Sequence, residues 1–338
     1  MARKLEWTVQ GLLPEAVVEP VITAISAGAP GRWPVSITTF AQDSNDRAEV
    51  RFDDGRTLVV KRARHEWARG RFAVSRAAAG LLREAGIPAP RPLAVAVPDD
   101  GLPVEAYWKV ELPTLAEVWT GAGRSGRGAL LREWGRLVRR IHRIRLPRHG
   151  PLLRPHPGGL GGHLREDLER RLLPAVACTW PEAGPLVEAL AGAAERIAGR
   201  LAGAPAVLVH NDLHSGNVLC SADGAGCAGV LDLEAAFAGP PEADIAHADV
   251  LHGPLFGKPL PAGWLDELLR GYGRALDPVV LAYFRAFHLA NLGYHAALSG
   301  YGEHAAGIRA AMEGEVRALS RAVPSGPPAP PSTLRAAA

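Results

Sequence analysis

Hydrophobic and polar positions fall into two regimes along the chain. Residues 12–25 carry the spacing of a short amphipathic helix, and then strand-like apolar runs dominate. Runs at 35–40 and 48–52 flank the polar segment Ala-Gln-Asp-Ser-Asn-Asp. Asp53, Asp54 and Gly55 form a hairpin signal before the next run, 57–60. Residues 72–85 are spaced for a helix that Gly86 and a proline-rich loop would close, and strands at 93–97 and 104–110 bracket Pro-Asp-Asp-Gly-Leu-Pro. From Leu115 the period turns helical. Between residues 130 and 144, Leu130, Leu131, Trp134, Leu137, Val138 and Ile141 share one face, with arginines opposite. Further helices are expected at 164–176, 186–201, 264–272, 279–298 and 305–322. The pattern predicts an α+β, two-lobed protein: a small β-rich lobe over residues 1–112 and a larger α-helical lobe over 113–323. Residues 324–338 are too proline-rich to pack and are expected to form a disordered tail.

The helical stretch is interrupted once, and the interruption holds the chemistry. An apolar run through Val209 ends in His210, Asn211 and Asp212, and a second run begins at Asn217. Asp212 and Asn217 therefore share one short polar loop between two β-like segments. Fifteen residues on, Asp232 ends another apolar run. Phosphoryl transfer needs little covalent help from protein. It needs a carboxylate to orient the attacking hydroxyl and a divalent cation to neutralise phosphate charge. Mg²⁺ prefers oxygen ligands and keeps several waters, so one carboxylate and one amide suffice alongside phosphate oxygens. Asn217 and Asp232 suit that pair, which leaves Asp212 to face the acceptor.

Composition narrows the field without changing it. The 338 residues are 47% hydrophobic and 22% charged, as expected of a globular protein with room for two cores. A formal charge of +3 gives no support for a nucleic-acid partner. The 38 basic residues include only four lysines, Lys4, Lys61, Lys109 and Lys258, so any task that needs an ammonium has few candidates. Three cysteines without a Cys-x-x-Cys pair argue against a disulfide framework or a zinc site. No apolar stretch approaches 18 residues, and no apolar segment follows the charged N-terminus. A cytoplasmic protein with no membrane contact and no obligate protein partner is expected.

The order of motifs resembles the aminoglycoside phosphotransferase family and its choline-kinase-like relatives. Those enzymes carry His-Gly-Asp-Leu-His-x-Gly-Asn followed by two apolar residues; here the run is His210 to Leu219, with Asn211 in the glycine position. Leu231, Asp232, Leu233 and Glu234 are similar to the family's next motif, and Gly239 to Ala246 to the one after it. The resemblance spans roughly residues 35–322 and implies a bilobal protein-kinase-like fold. It also implies ATP (or GTP) with Mg²⁺ as cofactors and transfer to a hydroxyl of a small molecule. The acceptor would be an antibiotic of aminoglycoside, nucleoside or peptide type, giving resistance or self-protection. The alternatives are a small-metabolite kinase of choline or homoserine type and a nucleotide-binding pseudokinase.

Residue by residue, the likeness implies Asp212 as the catalytic group, Asn217 and Asp232 at the metal, and Lys61 at the nucleotide phosphates. Ser44 and Asn45 would lie in the loop over the phosphates, and Val110 to Leu112 in the segment whose backbone takes the adenine edge. His214 and Glu234 are candidates for phosphate or substrate contacts. One departure stands out. The family pairs its lysine with a helix glutamate, and Ser75 stands where that acid is expected, with Glu66 and Glu84 displaced from the position. Residues 242–338 hold nine acidic and eight basic side chains plus five histidines, a near balance that fits a modestly charged acceptor better than a polycation.

Overall fold

The computed structural model describes residues 6–10, 15–28, 33–40, 45–64, 70–96, 101–174, 176, 180–201, 204–253, 260–298 and 302–322. Compact units form around two cores. One comprises residues 1–155, 205–244 and 260–274, and the other residues 156–204, 245–259 and 275–338.

The first unit is built on a six-stranded sheet. Its strands are β1 (Glu6–Gln10), β2 (Pro34–Phe40), β3 (Asn45–Phe52), β4 (Thr57–Ala63), β5 (Pro92–Ala96) and β6 (Val104–Trp108), in the order β1-β2-β3-β4-β6-β5. Only β1 and β2 run parallel; the other neighbours are antiparallel. Alternation decides what each face does. Ile37, Ala48, Val50, Phe52, Leu58, Val60, Val104 and Ala106 pack with Val18 and Ile22 of helix α1 (Glu15–Gly28) into one core. Residues one position out of phase, including Asn45, Lys61 and Glu105, lie on the opposite face. Helix α2 (Arg71–Glu84) reaches that side, where Phe72 packs on Ala63.

Past β6 the chain enters α3 (Leu115–Gly121) through a capping box between Thr114 and Glu117, then α4 (Arg124–Ile141), whose apolar stripe is the one the spacing predicts. Short strands β7 (Arg145–Leu146), β8 (Gly150–Pro151), β9 (Ala206–Val209) and β12 (Phe237–Gly239) make a second sheet. Between β9 and β12 lies the hairpin β10 (Val218–Cys220) and β11 (Cys227–Val230). A Cβ on Gly229 of β11 would sit 2.2 Å from the carbonyl oxygen of Pro88, and the adjacent Val230 N–H donates to that same oxygen at 3.0 Å. The hairpin is thus held against the loop that follows α2.

The second unit is helical. It contains α5 (Gly159–Glu166), a π-helical stretch (Asp167–Leu172), α6 (Gly184–Arg200), most of α7 (Glu242–His252), α9 (Pro278–Leu298) and α10 (Gly302–Ala322). Helix α8 (Trp264–Tyr272) belongs to the first unit, where it packs on α4 and Trp134 stacks on Trp264 at 6.0 Å. Several elements were not foreseen from the pattern: β1, the two-residue strands β7 and β8, β12, and α7. The polar segment before residue 48 is also shorter than expected, because Asn45 and Asp46 already pair in β3. The tail expected over residues 324–338 and the loop residue Ser44 lie outside the described residues.

Candidate active site

The loop between β9 and β10 bends sharply, and its hydrogen bonds show how. Asn211 adopts a left-handed φ of 63°, which asparagine tolerates better than most residues. The buried carboxylate of Asp244, in α7, accepts the Asn211 N–H at 2.7 Å and the His210 N–H at 3.0 Å. It also faces Nε2 of His142 at 3.0 Å; a carboxylate only accepts, so His142 donates there and turns Nδ1 toward the Tyr272 hydroxyl. His210 accepts the Asp212 N–H at Nδ1 and donates from Nε2 to the Leu231 carbonyl, which fixes its tautomer. His214 likewise accepts the Gly216 N–H at Nδ1. Both histidines therefore shape backbone around the aspartates.

Asp212 and Asn217 meet directly. The Asn217 amide nitrogen donates to the Asp212 carbonyl at 2.9 Å and to its carboxylate at 3.1 Å. That arrangement leaves the Asn217 amide oxygen free of the same work. Burial pushes the Asp212 carboxyl up to about 8, helped by the charge of Asp232 and opposed by the Asn217 hydrogen bond, Lys61 and Arg71. Asp232 follows β11 with φ 56°. Burial opposes its charge, but Lys61 and the two loop histidines hold its carboxyl below the ordinary range.

Lys61, in the middle of β4 and 5% exposed, points at this loop. Its ammonium lies 3.1 Å from Glu234 and 3.3 Å from Asp232. Burial opposes its charge as well, yet Tyr107 and the two carboxylates keep its pKa well above the usual lysine value. Glu234 is saturated by one neighbour more: Asn45 donates to both of its oxygens, at 3.1 and 2.9 Å. The acid that holds Lys61 is thus Glu234, from the motif after the loop. Ser75 is buried on α2 and supplies no carboxylate.

The structure brings together Lys61, Asn45, Asp212, Asn217, Asp232 and Glu234, with His214 bordering them. Val110 and Leu112 lie just past β6, whose ladder extends one residue further as Lys109 N–H donates to the Thr57 carbonyl at 2.8 Å. Sequence reasoning missed Glu105. It is 1% exposed and directly opposite Lys61 in the β4–β6 register. Burial pushes its carboxyl up to about 8, with Lys61 pulling against it and Glu234 and Asp232 adding to the rise. A glutamate inside the apolar run Val-Glu-Ala-Tyr-Trp was the available signal; the register that gives it meaning is not written in the sequence.

Could this site hold a divalent cation? Its candidate ligands are hard oxygens, the Asn217 amide and the anionic Asp232 now paired with Lys61, which fit Mg²⁺ better than a soft metal. Among the described residues no group of three or more His, Cys, Asp or Glu is arranged for a metal. Also among the described residues, no helix is long and apolar enough to cross a membrane.

Comparison with solved structures identifies the architecture. The chain superposes on a thermostable mutant of aminoglycoside phosphotransferase APH(4)-Ia in ternary complex with ADP and hygromycin B, with a TM-score of 0.62, at 15% identity, over 87% of this chain and 97% of that one. A putative aminoglycoside phosphotransferase from Ralstonia eutropha gives 0.61 at 15% identity, over 90% and 98%. Aminoglycoside phosphotransferase APH(3'')-Id from Streptomyces rimosus gives 0.56 at 20% identity, over 82% and 97%. The fold is therefore the α+β, kinase-like fold of those enzymes, with a β-sheet N-terminal region and a helical C-terminal region. No curated protein matches the sequence. The profile of the phosphotransferase enzyme family does match it, over residues 36–284, and the chain belongs to that family of kinase-type enzymes.

Proposed function

We infer that the protein is an ATP- and Mg²⁺-dependent O-phosphotransferase acting on a hydroxyl of a small-molecule antibiotic, in the cytoplasm where ATP is supplied. The observation that carries this reading is the ring of Lys61, Asp232, Glu234, Asn217 and Asp212 on one wall of one compact unit. In it Asp212 accepts the hydrogen bond of the acceptor hydroxyl, aims its oxygen, and takes the proton late in transfer. Asn217 and Asp232 hold the cation, which when bound supplies charge neutralisation along the phosphates. Lys61 contacts the α- and β-phosphates, and Glu234, braced by Asn45, keeps the ammonium extended. The segment Val110 to Leu112 offers backbone groups to the adenine edge, with GTP the alternative nucleotide. Ser44 and His214 are further candidates for phosphate contact.

The acceptor class rests on two supports. Solved structures of the same fold are aminoglycoside phosphotransferases, one of them crystallised with hygromycin B. The near balance of charge in residues 242–338 favours an acceptor less cationic than a typical aminoglycoside. A choline- or homoserine-type metabolite kinase is the reading to set beside it, and one assay separates them. ATP consumption by the purified protein is measured against a panel of antibiotics and amino alcohols, together with antibiotic susceptibility of an expressing host. Turnover on an antibiotic with a matching rise in resistance supports the reading; turnover confined to amino alcohols overturns it. Asp212→Ala is expected to remove turnover while sparing ATP binding, and a wild-type kcat in that variant would dismiss the assigned base.

A further inference from the structure

Lys61 faces three carboxyl groups, and two of them account for its contacts. Asp232 and Glu234 each lie within ion-pair distance of the ammonium. Glu105 is the third. Its Cα pairs with that of Lys61 across an antiparallel ladder, which sends both side chains to the same face. It is 1% exposed, and its Oε1 has no hydrogen-bond partner. An orphaned buried acceptor weakens a fold, and such groups are rare enough to need a reason. Of the two cations that act on it, Arg76 is solvent-exposed on α2, whereas Lys61 is its buried neighbour in register. The helix position that supplies the lysine's acid in kinases holds Ser75, so nothing on α2 competes for the role.

We propose that Glu105 is a positioning residue for Lys61, a second seat that the ammonium takes when metal and phosphates claim Asp232. The proposal rests on the phosphotransfer reading above and deepens it. Lys61 neutralises Asp232, the carboxylate assigned to the cation. Once the cation arrives, that pair is redundant, and the ammonium must turn toward the phosphates without losing a counter-charge behind it. Glu234 is already shared with Asn45, so Glu105 completes the shell with its unpaired oxygen, ionising as the approaching ammonium offsets the burial that otherwise keeps it protonated. Because Glu105 sits on the strand beside the lysine, the seat is fixed by the sheet and does not depend on the placement of a helix.

The test is calorimetric titration of wild type, Glu105→Gln, Lys61→Met and the double variant with Mg²⁺–AMP-PNP and with adenosine. Glu105→Gln is expected to weaken Mg²⁺–AMP-PNP about tenfold and to leave adenosine unchanged, since adenosine has no phosphate for Lys61 to meet. In the Lys61→Met background the same substitution should have no further effect. Wild-type affinity in Glu105→Gln, equal loss for adenosine, or an undiminished effect without Lys61 would each overturn the proposal while leaving the enzyme reading in place. Failure of the wild-type protein itself to bind Mg²⁺–AMP-PNP would remove both.

Discussion

Replacing Asp244 by asparagine isolates what its charge contributes, because the side chain keeps its shape. The carboxylate is fully buried and serves three donors: the N–H groups of His210 and Asn211, and Nε2 of His142. An amide offers one acceptor. With its oxygen toward Asn211 it turns an NH₂ group on the His210 N–H; reversed, it does the same to Asn211. His142 can switch tautomer toward the Tyr272 hydroxyl, so its share is partly recovered. One backbone donor remains unpaired in either orientation, at about 1–3 kcal/mol. Loss of charge from the surviving bond adds about 1 kcal/mol, since charge-assisted bonds are roughly twice as strong as neutral ones. The sum, about 2–4 kcal/mol, corresponds to a fall in Tm of about 3–6 °C for a chain of this size. Differential scanning calorimetry at pH 7 reads it. The sign with pH is also fixed. Burial works against the charge, but His142, His210 and the backbone donors hold this carboxyl below the ordinary aspartate range. Its contribution is therefore complete above about pH 4 and lost as the pH falls through the lower folded value. The gap between wild type and variant must close in acid. A variant within about 0.5 kcal/mol of wild type at pH 7, or a gap that widens in acid, refutes the idea that this carboxylate secures the loop.

The opposite sign applies to Glu105. Its pKa rises from 4.5 to about 8 on folding, so the folded state binds the extra proton and stability declines as pH rises between those values. Thermal melts of Glu105→Gln should lack that decline, and parallel wild-type and variant profiles would contradict it. Gly229→Ala drives a methyl against the Pro88 carbonyl, an overpacking cost of about 1–3 kcal/mol, visible as a lower Tm together with weakened nucleotide binding. Asp232→Ala should weaken AMP-PNP binding when Mg²⁺ is present and change it little in a chelator, because the assigned role is at the cation. Equal weakening in both conditions rules that role out.

How much of this was readable beforehand depended on sequence distance. Asp212, Asn217 and Asp232 lie within 21 residues, so a local pattern brought them together. Lys61 could be chosen from afar because only three other lysines competed. Helix α4 announced itself through a clear apolar stripe. Helix α7 did not: its first turns are buried almost all round, so no stripe exists to be seen. The parallel pairing of β1 with β2 joins segments 30 residues apart, and the pairing of Lys61 with Glu105 is set by a register that only folding fixes. Glu234 was visible as a candidate, but its attachment to Lys61 and Asn45 spans 173 and 189 residues and belongs to tertiary structure alone.

The seam at Pro88 carries a practical consequence. Because the Val230 N–H is captured there, two residues before Asp232, any fluctuation that lifts the hairpin backbone away from the loop after α2 must first release that amide. Its hydrogen-exchange rate is therefore a ligand-free gauge of whether the hairpin is seated, readable before any acceptor is known.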